Sequence, residues 1–365
     1  MPKRAKKTSR PTKASIRQVA RQAGVSIATV SRALATPDKV STDTRLKVLA
    51  EVQRTGYRPN LLARNFRSKR AYAVVVLVPN IANPFFAEVI RGIEQVAQQR
   101  GYAVLLGDTE GREDRENYYV GLVETHQADG LIQLRARIPP GAISSDRKTV
   151  TIPLVNACEC VKDVPAPIVK VDNVGAARAM TSHLIALGHR RIGVILGPDS
   201  SPLTRDRLRG HRSALQAAKI AFDETLIAHG DFTVHSGGEA AQALMQQKQP
   251  PTAIFSFNDE MAFGAIQWLR SNGFSVPSDV SVAGFDNIEF AAYCDPPLTT
   301  IAQPAREIGR TAMHELYELL NGHKAEARQR VLNTQLIVRQ SCAPPRSRSR
   351  KSKSARRRLP LAVGE

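Results

Sequence analysis

The chain has 365 residues, and its ordinary 42% hydrophobic content allows two or three domains with ample core. No uninterrupted apolar segment approaches membrane-spanning length, and no apolar signal core follows the basic N-terminus; membrane and secreted classes are excluded and a cytoplasmic protein is expected. The formal net charge of +19 is unevenly spread: residues 1–15 carry 6 basic and no acidic side chains, residues 16–70 carry 12 and 3, residues 71–345 carry 26 and 29, and residues 346–365 carry 8 and 1. Basic ends around a nearly neutral middle suit a polyanion-binding head on a globular sensor. Four cysteines, Cys158, Cys160, Cys294 and Cys342, fit free thiols; Cys158 and Cys160 lack a second Cys or His pair at ligand spacing, so no metal site is expected.

Residues 1–14 read as a disordered basic arm. Within residues 15–34, Ser15 followed by Gln18 fits a capping box, and Ile16, Val19, Ala20 and Ala23 recur at helical spacing. Gly24 stops that helix, and Ser26 caps the next through its hydroxyl. With Val30 and Leu34 turned inward, Ile27, Ala28, Thr29, Ser31 and Arg32 form the face that a helix-turn-helix presents to a DNA major groove. A third helix is expected from a Ser41 cap to Gly56, with Leu46, Leu49 and Val52 covering the first two. Pro59 opens a further short helix over residues 59–67, marginal on its own in water.

The run V-A-R-Q-A-G-V-S-I-A-T-V-S-R-A-L, followed by T-R and G-Y-R-P-N, resembles the headpiece of the lactose/galactose (LacI/GalR) family of transcriptional repressors. The resemblance implies base reading by Ile27, Ala28 and Arg32. Arg32 would pair with guanine O6 and N7, and the two apolar residues would meet thymine methyls. Thr29, Ser31, Thr44 and Arg45 are placed for phosphate. Residues 59–70 would be the family's hinge helix, paired with that of a dimer mate and contacting the minor groove through Asn60, Ala63 and Phe66. Phe66 stands at the wedge position, where leucine is common in the family; a phenyl ring still serves as an intercalating wedge.

From Ala73 onward strands and helices alternate. Short apolar runs at 73–78, 103–106, 130–134, 168–171, 192–196, 253–257 and 281–285 suit strands buried on both faces. Amphipathic segments lie near 85–100, 174–187, 206–218, 237–247, 259–272 and 304–320. This is a doubly wound parallel α/β pattern, whose ligands bind beyond the carboxyl ends of the strands. Residues 80–86, Asp108, Asp172, Asn173, residues 197–207, Asn258, Asp259, Asp286 and Asn287 occupy those positions. His189, in L-G-H-R-R, reads as a helix-capping residue rather than a base.

The segments N-P-F-F-A-E-V-I-R-G-I-E, A-L-G-H-R-R-I-G-V-I-L-G-P, F-N-D-E-M-A-F-G-A and A-G-F-D-N also resemble the same family, across residues 15–341. The implied fold is an N-terminal all-α helix-turn-helix headpiece (15–58), a hinge (59–70) and a type I periplasmic-binding-protein-like core of two doubly wound parallel-sheet subdomains (71–341), followed by a disordered basic tail (342–365). By that resemblance Phe85, Phe86 and Phe232 would face an effector, Arg207 would donate to its oxygens, and Asn258 and Asp286 would bind hydroxyls or ring nitrogens. Each also has an ordinary structural reading: core rings for the phenylalanines, a turn cap for Asp286, and an ion pair with Asp206 or Asp259 for Arg207. The G-D-F-T at 230–233 and D-P-P-L-T-T-I-A-Q-P at 295–304 are most similar to nucleoside-responsive members, with pentose or hexose sugars close behind.

No G-x-S-x-G elbow, phosphate-cradling glycine loop, metal-spaced histidine cluster or nucleotide fingerprint appears, so neither an enzyme nor a cofactor is expected. The tail R-S-R-S-R-K-S-K-S-A-R-R-R is too charged to fold alone and lacks leucine heptads. A homodimer on a pseudo-palindromic double-stranded DNA operator is expected, with the tail adding nonspecific DNA affinity.

Overall fold

The computed structural model describes residues 14–35, 37–57, 70–146, 149–159, 165–323 and 328–346. The basic arm to residue 13, Cys160, nearly all of the expected hinge and the tail beyond Arg346 lie outside the described residues. The chain divides into two compact units, Met1–Arg70 and Ala71–Glu365.

The first unit contains α1 (Ile16–Gln22), α2 (Ile27–Ala35) and α3 (Thr42–Thr55). Val19, Ala20, Val30, Ala33 and Val48 form its buried centre, with Leu34, Val52 and Tyr57 packed around them. Gly24 at φ 66° turns the chain out of α1, and the Val25 N–H closes the end on Ala20 O at 3.0 Å. α3 differs from expectation in its phase. Leu46 is 61% exposed and Leu49 39% exposed, while Val48 is fully buried. Spacing of three throughout, as in Leu46–Leu49–Val52, drifts around a helix of 3.6 residues per turn; Val48 and Val52, four apart, hold the inward stripe.

The second unit has two six-stranded sheets. In chain order its strands are β1 (Ala73–Val78), β2 (Ala103–Asp108), β3 (Gly130–Gln133), β4 (Leu154–Ala157), β5 (Ile168–Val171), β6 (Ile192–Leu196), β7 (Ile227–His229), β8 (Ala253–Ser256), β9 (Ser281–Asp286), β10 (Thr299–Ala302), β11 (Gln329–Leu332) and β12 (Gln335–Ile337). The first sheet runs β11-β5-β4-β3-β1-β2, and the second β12-β10-β9-β8-β6-β7. All pairings are parallel except β10 with β12.

Helices α4 (Pro84–Gln99), α5 (Glu113–Glu124) and α10 (Ala305–Leu320) belong with the first sheet, and α6 (Asn173–Ala186), α7 (Pro202–Ala217), α8 (Val234–Met245) and α9 (Asp259–Ser271) with the second. β1 shows why a central parallel strand reads as an unbroken apolar run. Val74, Val76 and Val78 pack with α4 and α10, while Val75 and Leu77 pack on the other face with residues of α5. Helix pairs cross where glycine removes the side chain: a Cβ on Gly92 would strike Arg306 O, and one on Gly264 would strike Val234 O.

One further expectation is corrected. β2 is not buried on both faces; it ends the sheet and leaves Leu105 and Leu106 exposed at 37% and 39%. His189 does end α6 as a capping residue, its backbone N–H donating to Leu184 O at 3.2 Å just after Gly188 at φ 103°. Its Nδ1 lies 2.9 Å from Thr252 Oγ1 and its Nε2 2.9 Å from Ala343 O, so the ring ties the C-terminal segment to the second sheet. β4, β7, β10, β11, β12 and α5 are additions to the elements read from sequence. Among the described residues, no helix is long and apolar enough to cross a membrane.

Candidate functional site

In the first unit, local capping fixes which side of α2 faces solvent. The Ser15 hydroxyl accepts from the Gln18 N–H at 3.3 Å, and the Ser26 hydroxyl accepts from the Thr29 N–H at 3.0 Å. Valines and alanines hold the inner face, so Ile27 is left 45% exposed at the first turn, beside exposed Ala28 and Arg32. Arg32 Nε donates to Ala28 O at 3.3 Å, which brings the guanidinium back over the N-terminal half of α2. Thr29 and Ser31 are half-buried; Thr44 is half-buried with its Oγ1 2.9 Å from Ser41 Oγ, and Arg45 is exposed. Asn60, Ala63 and Phe66 lie outside the described residues.

In the second unit, the carboxyl ends of both sheets converge on one cleft of about 580 Å³. Phe85, Phe86, Arg207, Phe232, Asn258 and Asp286, which the sequence scatters over 200 positions, all line it. Phe85 is 7% exposed and belongs to the first subdomain's core as well as to the cleft wall; its ring meets that of Phe86 edge-on at 5.4 Å. Asn83 caps α4 by accepting from the Phe85 N–H, which fixes both rings at the cleft.

Arg207 is buried at 2% exposure. Its Nε donates to Asn173 Oδ1 at 2.9 Å, Nη1 donates to Phe257 O, Nη2 lies 4.0 Å from Asp286 Oδ1, and the guanidinium lies 3.6 Å from the centre of the Phe285 ring. Its carboxylate neighbour is therefore Asp286; Asp206 pairs instead with Arg209 at 2.8 Å. Asp286 caps no turn with its side chain but accepts from Gln303 Nε2 at 2.7 Å, and burial pushes its carboxyl up to about 6 against the opposing pull of Arg207. Behind it, burial and the Asp286 charge hold Asp259 well above the carboxylate range, and Thr300 Oγ1 donates to Asp259 at 2.6 Å.

Asn258 caps α9 by accepting from the Met261 N–H and donates through Nδ2 to Phe232 O, each at 2.9 Å. Phe232 sits at φ 71° with its ring over Gly197, where a Cβ would collide with the ring edge. Glu110, Cys158 and Asp286, at φ 48°, 67° and 119°, also line the cleft. Left-handed backbone of this kind, costly for residues other than glycine, gathers at ligand-binding walls.

The sequence reading missed Glu159, Arg135 and Gln303 among the lining residues. Glu159 accepts from the Ser201 hydroxyl at 3.2 Å and the Ala136 N–H at 3.3 Å, and burial raises its carboxyl. It and Gln303 follow β4 and β10, two short strands absent from the sequence reading, so the rule of inspecting strand ends had no end to inspect there. The cleft thus offers aromatic walls, fixed guanidinium and amide donors, and carboxylate acceptors, a set suited to a hydroxylated molecule of metabolite size.

Two known sequence families match the chain: "Bacterial regulatory proteins, lacI family" over residues 15–60 and "Periplasmic binding protein-like domain" over residues 181–342. Over 330 residues the chain is 42% identical to the HTH-type transcriptional repressor CytR of Escherichia coli strain K12, covering 90% of this chain and 96% of that protein. The chain belongs to the lacI family. Another relative, the HTH-type transcriptional regulator DegA of Bacillus subtilis, is 35% identical over 91% of this chain and 99% of its own. Among solved structures, the Lac repressor dimer bound to operator and the anti-inducer ONPF superposes with a TM-score of 0.78 at 28% identity, over 90% of this chain and 99% of that one. The complex of the transcriptional regulator CelR with cellobiose gives 0.69 at 32% identity, over 91% and 100%. The headpiece-plus-two-subdomain fold expected from sequence is therefore borne out, and the relatives are transcriptional regulators.

Proposed function

We propose that this lacI-family chain is a cytoplasmic, homodimeric transcriptional repressor whose grip on a pseudo-palindromic DNA operator is set by a nucleoside, such as cytidine, bound in the cleft. The observation that carries the reading is the convergence of Phe232, Arg207, Asn258 and Asp286 on one cleft in a chain that also presents Ile27, Ala28 and Arg32 on an exposed helix face. Arg32 reads guanine, Ile27 and Ala28 read thymine methyls, and Thr29, Ser31, Thr44 and Arg45 hold phosphates. The working division is a headpiece to residue 58, a connector at 59–70 whose Asn60, Ala63 and Phe66 contact the minor groove, and an effector core to residue 341.

In the cleft, Phe232 and Phe85 with Phe86 cover the flat faces of the ligand. Arg207 and Asn258 donate to its oxygens, and Asp286 accepts from a hydroxyl or ring N–H. Because both sheets contribute wall residues, a bound effector favours one relative orientation of the two subdomains, and the connector to the headpiece responds to that orientation. A pentose or hexose effector is the second reading, favoured by the same pairing of aromatic wall and fixed polar groups.

The test first selects preferred duplexes from a random-sequence pool. Cytidine, other nucleosides, pentoses and hexoses are then titrated calorimetrically into the full chain, with and without a selected duplex. Binding of a nucleoside that shifts duplex affinity supports the proposal; equal binding to every duplex, unmoved by any of these compounds, rejects it.

A further inference from the structure

Two charged side chains of the first subdomain, Arg135 and Glu159, line the cleft without a part in the reading above. Arg135 follows β3 and Glu159 follows β4, and one buried amide clasps the two loops: Asn156 Nδ2 donates to the backbone oxygens of Arg135 and Glu159, each at 3.0 Å. The Glu159 carboxylate reinforces the clasp. Its Oε2 accepts from the N–H of Ala136, next to Arg135, at 3.3 Å, and its Oε1 accepts from the Ser201 hydroxyl at 3.2 Å. Burial raises the carboxyl, while those two donors and the guanidiniums of Arg135 and Arg207 pull the other way, toward the ionised form. A carboxylate has about four acceptor sites, and these two bonds leave capacity for a ligand donor.

The Arg135 guanidinium lies against Gly111, where a Cβ would strike Nη1 and where the backbone takes a φ of 71°. Among the described residues it makes no hydrogen bond or ion pair. The first subdomain therefore brings a fork of donors and a carboxylate acceptor together in the same cleft as the Phe85 and Phe86 rings.

A base edge with an amino group beside a ring-nitrogen acceptor matches that pair. Cytosine carries its N4 amino group beside N3, and adenine its N6 amino group beside N1; in each, the amino N–H suits the carboxylate and the ring nitrogen suits the guanidinium. Uracil and hypoxanthine reverse the pattern. They would turn a carbonyl oxygen toward an acceptor and a ring N–H toward a cation, and both contacts repel.

Resting on the nucleoside reading above, we propose that Glu159 and Arg135 are the specificity-determining pair of the cleft, selecting nucleosides whose base carries an exocyclic amino group beside an unprotonated ring nitrogen. The base then lies with the first subdomain, and the ribose hydroxyls fall to Arg207, Asn258 and Asp286 of the second.

The test titrates cytidine, uridine, adenosine and inosine calorimetrically into the full chain. Cytidine is expected to bind at least about tenfold tighter than uridine, and adenosine tighter than inosine. Glu159→Gln, whose amide can turn a donor or an acceptor to the ligand, brings the cytidine-to-uridine ratio near one without weakening uridine. Arg135→Met keeps the stem and removes the guanidinium; it weakens cytidine at least about tenfold while thermal unfolding of the core stays unchanged. A ratio that survives Glu159→Gln, an equal loss of both nucleosides in that variant, or cytidine affinity unmoved by Arg135→Met overturns the proposal. Equal binding of all four nucleosides by the wild-type chain would sink the pair and leave the nucleoside reading standing. Binding of a pentose or hexose, with none of the four nucleosides, would sink that reading as well.

Discussion

A guanidinium withdrawn from water needs compensation on every side, and Arg207 draws it from an amide oxygen, a backbone carbonyl, the Phe285 ring and the more distant Asp286. Asp286, raised by burial to about 6 from 3.8, keeps its proton in the folded chain at pH values where the unfolded chain has lost it. Its contribution to stability is thus fully present below about pH 4 and falls as pH rises through about 6. Urea unfolding of the second unit between pH 4 and 7 is expected to show this decline, and Asp286→Asn to flatten it; an unchanged slope in the variant would remove Asp286 as the source. Gly197 acts on the same wall by being absent: Gly197→Ala pushes a Cβ into the Phe232 ring edge. The displaced ring should lower nucleoside affinity at least about tenfold, near 1.4 kcal/mol, while effector-free duplex binding stays intact. Calorimetry on the variant decides it, with unaltered affinity ruling out Phe232 as a wall of the site.

Among the elements, α3 separates residue type from helical phase. Val48→Ala should cost the first unit about 1–3 kcal/mol, whereas Leu46→Gln and Leu49→Gln should each stay within about 0.5 kcal/mol. Hydrogen exchange of the α1 and α2 amides in the full chain measures both, and a larger loss at Leu46 would reverse the assignment of the inward stripe. The same contrast explains how much of the molecule its sequence revealed. Capping residues such as Ser15, Ser26 and Ser41 act within a few residues of themselves, so the headpiece helices were legible locally. Central strands such as β1 and β6 were legible because both of their faces are apolar.

β4 and β10 were not legible, since Leu154–Ala157 and Thr299–Ala302 bury Asn156, Thr299 and Thr300, whose partners lie far off in sequence. Asn156 Nδ2, for example, donates to the backbone oxygens of Gln133 and Arg135 at 3.2 and 3.0 Å. α5 was missed for another reason, as its charged first turn and mixed faces give little helical contrast. The cleft residues that sequence did supply came from resemblance and strand ends together; Glu159 and Gln303 were lost with the unseen β4 and β10, whereas Phe232, which follows the unseen β7, was supplied by resemblance alone.

At the scale of the whole molecule, the chain passes between the two subdomains at Asp172, between β10 and α10, and between β11 and β12. Short crossings of this kind let two rigid cores reorient while each keeps its packing, and they lie on the side where the strands end at the cleft. An effector that prefers one orientation transmits free energy to DNA only through its difference in affinity between the two orientations. A coupling of about 1–3 kcal/mol corresponds to a change of about 5–150-fold in duplex affinity, and linkage requires the bound duplex to change nucleoside affinity by the same factor and in the same direction. Measuring nucleoside binding with and without saturating duplex, and duplex binding with and without saturating nucleoside, should therefore give two equal ratios. Gly197→Ala should leave those ratios equal to each other while weakening nucleoside binding in both states, because the glycine shapes the wall and not the crossings. Two unequal ratios in the wild-type chain would mean that the nucleoside and the duplex act on different populations of the protein, and that the cleft is not the site through which DNA binding is controlled.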